Sequence, residues 1–145
     1  MKLTTKTRYG LRLLLGFALR YNRGYVQLNE VAKAEGVTEK YAEQIVRILK
    51  IGGLLTSQRG VQGGYILSYP PEKITVFQVV ETLEGKFSII DCVDSKNCKK
   101  ISSCVVRKVW SKLTDEMIKT LKSITLADLV EDYKKENSTN IVYEI

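Results

Sequence analysis

The sequence predicts a mainly α-helical chain carrying one small β-wing, and three patterns predict it. Two short helical stripes meet at a glycine between Leu28 and Leu49. Two β-prone runs then flank a glycine-rich tip between Leu54 and Tyr69. Finally, apolar side chains recur at helical spacing from Val106 to Ile124. Together these compose a winged helix-turn-helix followed by a long dimerisation helix. The expected divisions are 1–84 for the winged helix-turn-helix, 85–104 for a cysteine-bearing loop and 105–133 for the dimerisation and terminal helices. Residues 134–145 form a polar tail open to fraying and disorder.

The first helix is expected over residues 5–21, where Leu11, Leu14, Leu15, Ala18 and Leu19 follow the helical period. Lys6, Arg8, Arg12 and Arg20 fall on or beside the other face, and Asn22-Arg23-Gly24 stops the run. The basic start and apolar centre superficially resemble a signal peptide. Arg12 and Arg20 interrupt that centre and no small-residue cleavage pattern follows, so the stretch reads as a helix of the mature protein.

Leu28, Val31 and Ala32 give the next helix a short buried stripe, which Gly36 ends where a left-handed residue is needed. Val37 points inward, and Thr38 is placed to cap a helix whose inner face is Ala42, Ile45, Ile48 and Leu49. Its outer face carries Glu39, Lys40, Tyr41, Glu43, Gln44 and Arg47, side chains able to read base edges or hold phosphate. A helical hairpin with a glycine turn is common in many settings, so the wing carries the distinction. The tip Arg59-Gly60-Val61-Gln62-Gly63-Gly64 presents an arginine and a glutamine on a thin backbone suited to the minor groove.

Pro70-Pro71 closes the wing. Thr75 and Gln78 form a capping-box pattern for a short helix through Leu83, with Phe77, Val80 and Leu83 inward and Gly85 as its stop. Phe87, Ile89 and Ile90 lead into the cysteine loop. Beyond it, Val106, Trp110, Leu113, Met117, Leu121 and Ile124 make a seam resembling a coiled-coil stripe. So small a domain covers such a helix most simply by pairing with its twin, which also supplies two recognition helices for two half-sites; ordinary core packing is the plain alternative. Thr125 to Asp128 caps a last short helix expected to reach Tyr133.

Charge sharpens this reading. The net charge of the 145-residue chain is +7, and residues 1–60 hold eleven Lys/Arg against four acids, while residues 61–145 balance twelve against twelve. The whole excess therefore sits on the helix-turn-helix side, as suits a duplex backbone; an anionic membrane surface is the lesser option. No apolar run approaches the ~18 residues of a membrane span. There is no histidine, hence no Cys–His nucleophile, and no phosphate-cradling glycine loop, so an enzyme with a small-molecule substrate is not expected.

All three cysteines, Cys92, Cys98 and Cys104, lie on one polar loop with five residues between each and the next. Thiols so placed can converge on a metal or an iron–sulfur cluster. Cys104 opens the long helix, where the dipole favours a thiolate. Buried thiols filling a core are the plain alternative. A disulfide framework is disfavoured by the odd count, and structural zinc by the lack of paired C-x2-C knuckles.

The opening Leu3-Thr4-Thr5-Lys6-Thr7-Arg8-Tyr9-Gly10-Leu11, the run Tyr41-Ala42-Glu43-Gln44, the wing Arg59-Gly60 with Gly63-Gly64-Tyr65, and the C-x5-C-x5-C loop resemble the IscR/NsrR-like iron–sulfur cluster regulators. Trp110 and Ile124-Thr125-Leu126 bring the chain nearest the IscR branch, and the resemblance extends to about residue 133. It implies a cytoplasmic, homodimeric winged-helix repressor or dual regulator that binds double-stranded DNA and holds a cluster, 2Fe-2S in preference to 4Fe-4S, on Cys92, Cys98 and Cys104. Iron–sulfur biogenesis or redox-stress genes are the implied targets. The resemblance places Tyr41, Glu43, Gln44 and Arg59 on DNA-reading positions. Lys6, Arg8, Thr38, Lys40, Arg47 and Gln62 complete the candidate set.

Two departures stand out. Arg107 occupies the position where IscR relatives commonly carry a ligand histidine, and residues 1–29 contain no acid that a partner's first helix could lend. The fourth ligand is then expected from Asp91, Asp94 or Glu84, another donor, or an exogenous molecule. The wing also has Val61-Gln62 where a proline is usual at the tip. Two rivals stay open: a cluster-free relative answering to a protein partner or thiol oxidation, and an electron-transfer iron–sulfur protein.

Overall fold

The computed structural model describes residues 3–90, 93, 100 and 102–144. Helices α1 (Thr5–Leu19), α2 (Leu28–Ala34) and α3 (Glu39–Ile51) precede a two-stranded antiparallel sheet of β1 (Leu55–Gln58) and β2 (Gly64–Leu67). Helices α4 (Val76–Glu84), α5 (Val105–Ser123) and α6 (Leu126–Glu144) follow. The expected winged helix-turn-helix is present, built around α1.

Helix α1 packs against α2, α3, α4, α6 and β2. Its buried face is Thr7, Gly10, Leu13, Leu14, Phe17 and Ala18, while Leu11, Leu15 and Leu19 are only half-buried. The stripe read from the sequence is therefore rotated by about a residue. A helix ringed by neighbours buries more than one stripe, and its two glycines set where those neighbours come closest. A Cβ on Gly10 would meet Leu83 Cδ1 at 2.4 Å, and one on Gly16 would meet Val31 Cγ1 at 2.6 Å.

The turn between α2 and α3 follows from Gly36, whose φ is +68°. Its N–H donates to Lys33 O at 3.2 Å and that of Val37 to Ala32 O at 2.9 Å, a Schellman closure. Val37 is buried and Thr38 Oγ1 accepts from the Tyr41 N–H at 3.3 Å, as expected of an N-cap. Helix α3 buries Ala42, Ile45, Val46 and Leu49, with Ile48 half-buried, so Val46 replaces Ile48 on the inner face.

The wing pairs Leu55 with Leu67 and Gln58 with Gly64. Val26 joins it as a third edge, exchanging main-chain bonds with Tyr65 at 3.0 and 2.8 Å. The Thr75–Gln78 capping box opens α4. Its buried face is Val76, Val79, Val80 and Leu83, with Phe77 half-buried instead of fully inward.

Helix α5 leans on α4 only through its C-terminal end, where Ile118 and Leu121, with Ile124 beyond, pack against Val76, Val80 and Phe87. Val106, Val109, Leu113 and Met117 are exposed, and Thr114 is its single buried residue. Thr125 and Asp128 cap α6 reciprocally at 2.9 and 3.2 Å. That helix runs to Glu144 and does not stop near Tyr133. No glycine or proline interrupts it, and the Glu131–Lys135 pair at 3.2 Å supports the turn where the sequence becomes polar.

Candidate nucleic-acid interface and cysteine loop

The candidate recognition surface is the outward side of α3 together with the wing. Glu39, Lys40, Glu43, Gln44 and Arg47 are all exposed on α3, as are Arg59 and Gln62 at the wing tip. Between the two elements lies a cleft of about 440 Å3, lined on one side by Glu39, Glu43, Arg47 and Lys50. Gln27, Asn29 and Tyr65 line the opposite side. Lys50 and Asn29 escaped the sequence reading. Lys50 continues the Glu43–Arg47 row by helical spacing and could have been found that way, whereas nothing local pointed to Asn29.

Tyr41 is placed differently from its neighbours. It is half-buried, its ring edge-on to Tyr9 of α1 at a centroid distance of 6.0 Å. Arg12 lies 5.3 Å from the Tyr9 ring and donates to Glu35 O at 2.6 Å, with its Nε 3.5 Å from the Glu35 carboxylate. Thus α1 grips both sides of the helix-turn-helix turn through Tyr9 and Arg12. Thr38 uses its hydroxyl on the α3 cap. Arg20 and Arg23 are drawn to Glu30, the latter through both nitrogens at 2.9 and 3.3 Å. Arg23 chiefly holds that carboxyl below its ordinary pKa, against some burial.

At the start of α1, Arg8 is exposed and Lys6 half-buried. The Thr4 N–H donates to Glu84 Oε1 at 3.0 Å and the Thr7 hydroxyl at 2.5 Å, while the Thr4 hydroxyl donates to the same oxygen. A carboxylate from the last turn of α4 therefore caps α1 across the fold, where the helix dipole favours it. Burial pushes the Glu84 carboxyl up. The hydrogen bonds from Thr4 and Thr7, with Lys6 nearby, outweigh that and hold it below the ordinary glutamate value. Glu84 thus already serves α1.

Cys104 is the N-cap residue of α5, half-buried and with a free thiol, as its position in the sequence implied. It opens onto a polar cleft of about 610 Å3 with Arg107, Lys108, Ser111 and Lys112. Arg107 Nη2 donates to Val93 O at 3.2 Å, fastening the start of the loop to α5. Cys92, Cys98, Asp91 and Asp94 lie outside the described residues. Among the described residues no group of three or more Cys, Asp or Glu is placed to hold a metal, and no helix is long and apolar enough to cross a membrane.

Protein rrf2 of Nitratidesulfovibrio vulgaris is 37% identical over 145 residues, covering 97% of this chain and 96% of that one. Among solved structures, CymR of B. subtilis, described as its global cysteine regulator, matches with a TM-score of 0.78 at 32% identity over 90% of this chain and 97% of that one. IscR of T. potens matches with a TM-score of 0.76 at 34% identity, over 94% and 90%. Residues 3–132 match the Rrf2 family, described as an iron-dependent transcriptional regulator. A winged helix-turn-helix with an exposed reading helix, shared across such relatives, makes this chain a DNA-binding transcriptional regulator and not an enzyme: it belongs to the Rrf2 family.

Proposed function

We propose that the chain acts as a cytoplasmic homodimer whose operator affinity is tuned by an iron–sulfur cluster held on Cys92, Cys98 and Cys104. The observation that carries this reading is the use made of α5. Its N-cap is Cys104, its first turn ties down the loop through Arg107, its middle leaves Val109 and Leu113 exposed, and its end packs on the winged unit. Loop, pairing surface and DNA head thus share one rigid element. A change at the loop is then felt in the spacing of two heads.

Within the head, Lys40 and Gln44 read the major groove, and Glu43 accepts from a cytosine amino group. Arg59 and Gln62 approach the minor groove, while Lys6, Arg8, Arg47 and Lys50 take phosphates. Tyr41 and Thr38 set the pose of the reading helix.

The residues suit the cofactor in donor type, since three thiolates are the ligands iron–sulfur centres use, and Cys104 sits where a thiolate is favoured. Asp91, Asp94 or an exogenous donor would complete the set. Glu84 is the weaker candidate because Thr4 and Thr7 already engage it. When bound, the cluster supplies an oxygen- and redox-sensitive centre. Arg107 then braces the loop, and α5 carries the change onward.

Anaerobic purification with iron and sulfide quantified tests this. Iron and sulfide should co-purify with the wild type. Cys92→Ala should stay dimeric and folded yet shift operator affinity by about 5–150-fold, the usual span of coupling between sites. Iron-free protein that regulates normally defeats the proposal.

A second reading is a cluster-free regulator that answers to thiol oxidation or a protein partner. Arg107, which cannot ligate metal, favours it by standing where related sequences carry a histidine. The likeness to the global cysteine regulator CymR points the same way. Colourless anaerobic protein whose DNA binding changes on thiol oxidation would select this alternative.

A further inference from the structure

We infer that Gln27 is the positioning residue of the wing: its side-chain amide clamps the tip so that Arg59 and Gln62 meet the duplex already ordered. The inference rests on the reading that the wing touches DNA.

Gln27 Nε2 donates to Gly63 O at 2.8 Å and to Val61 O at 3.4 Å, two carbonyls on the same tip. Within the tip, the Gly63 N–H closes a turn onto Gly60 O at 3.0 Å. The clamp itself is firmly mounted. Val26 on one side is paired with Tyr65 through two main-chain bonds, and Leu28 on the other is buried at the start of α2. Gly64 lets this edge come close, because a Cβ there would stand 2.2 Å from Val26 O.

The residue is also out of character for its place. Gln27 is the N-cap position of α2, where Ser, Thr, Asp or Asn would normally accept from the helix, yet it makes no side-chain cap. Its amide turns to the wing instead. The tip Arg59-Gly60-Val61-Gln62-Gly63-Gly64 contains no proline, a residue that restricts the backbone by itself. A tip without that restriction would lose more conformational freedom on binding. The Gln27 amide supplies the restriction from outside the hairpin, across 36 positions of sequence.

The test uses the full-length chain and a duplex that the wild type has enriched from a random-sequence pool, with all proteins prepared alike. Gln27→Ala should weaken binding by about tenfold, the scale of two hydrogen bonds that pre-order a contact. It removes no charge, yet it should flatten the dependence of log affinity on log salt by about one, because the Arg59 contact becomes intermittent. Adding Arg59→Ala should cost little further affinity. Val61→Pro in the Gln27→Ala background should restore binding. A residue that merely stabilised the fold would lower the melting temperature and leave the salt slope unchanged, which would overturn the proposal. So would Gln27→Ala binding like wild type while Arg59→Ala is weak, or losses that simply add in the double variant. If Arg59→Ala and Gln62→Ala both bind normally, the wing reading itself has failed, and the clamp falls with it.

Discussion

Gly64 is fixed as glycine by two independent facts. Its φ is +139°, in the half of backbone space that side chains avoid, and the carbonyl of Val26 fills the space a Cβ would need. Gly64→Ala should cost about 1–3 kcal/mol locally. The expected outcome is a detached wing: amide protection lost over β1 and β2, DNA affinity reduced, and α1–α3 unaltered by circular dichroism. Glu84 makes a different residue-scale prediction. Its carboxyl is held below the ordinary value, so its contribution is complete above that value and is lost as pH falls through it toward the depressed one. Protection factors at Thr4 to Arg8, taken relative to the intrinsic exchange rate at each pH, should therefore fall as pH drops through the ordinary glutamate range, and Glu84→Gln should show no such step. A step of equal size in the variant would remove Glu84 from the account.

Among the elements, those that are local in sequence were legible and those made by distant partners were not. Gly36, the Thr38 cap and the Thr75–Gln78 box each satisfy backbone groups within five residues, so the signal and the structure coincide. The buried face of α1 was read a residue off because five elements surround it, and no single period describes a helix buried on most sides. The Glu84 cap and the Gln27 clamp span 80 and 36 positions and had no pattern to betray them. For α5 the apolar seam was legible, and the structure leaves Val106 56% and Leu113 44% exposed. A seam this apolar needs a cover, and a second copy offers the same stripe in return. If α5 pairs the proposed homodimer, analytical ultracentrifugation should find the wild type dimeric and Leu113→Glu a folded monomer at the same concentration. A dimer of undiminished stability would place the pairing surface elsewhere.

At the scale of the whole molecule, charge and pairing combine in one measurable quantity. The net +7 arises entirely within residues 1–60, while the segment bearing the loop, α5 and α6 is balanced. Arg8, Lys40, Arg47, Lys50 and Arg59 are exposed on α1, α3 and the wing. A dimer that engages most of them on a duplex should release counterions steeply, with a log–log salt slope of about −6 to −9. The Leu113→Glu monomer keeps every one of these side chains but brings only one head to a half-site. Its slope should be about half, at a far weaker affinity. This separates two origins of tight binding. If α5 only raises stability, the variant will bind less but with the wild-type slope, because each bound molecule makes the same contacts. If α5 joins two heads into one footprint, affinity and slope must fall together, and fluorescence anisotropy on one duplex across a salt series decides between them.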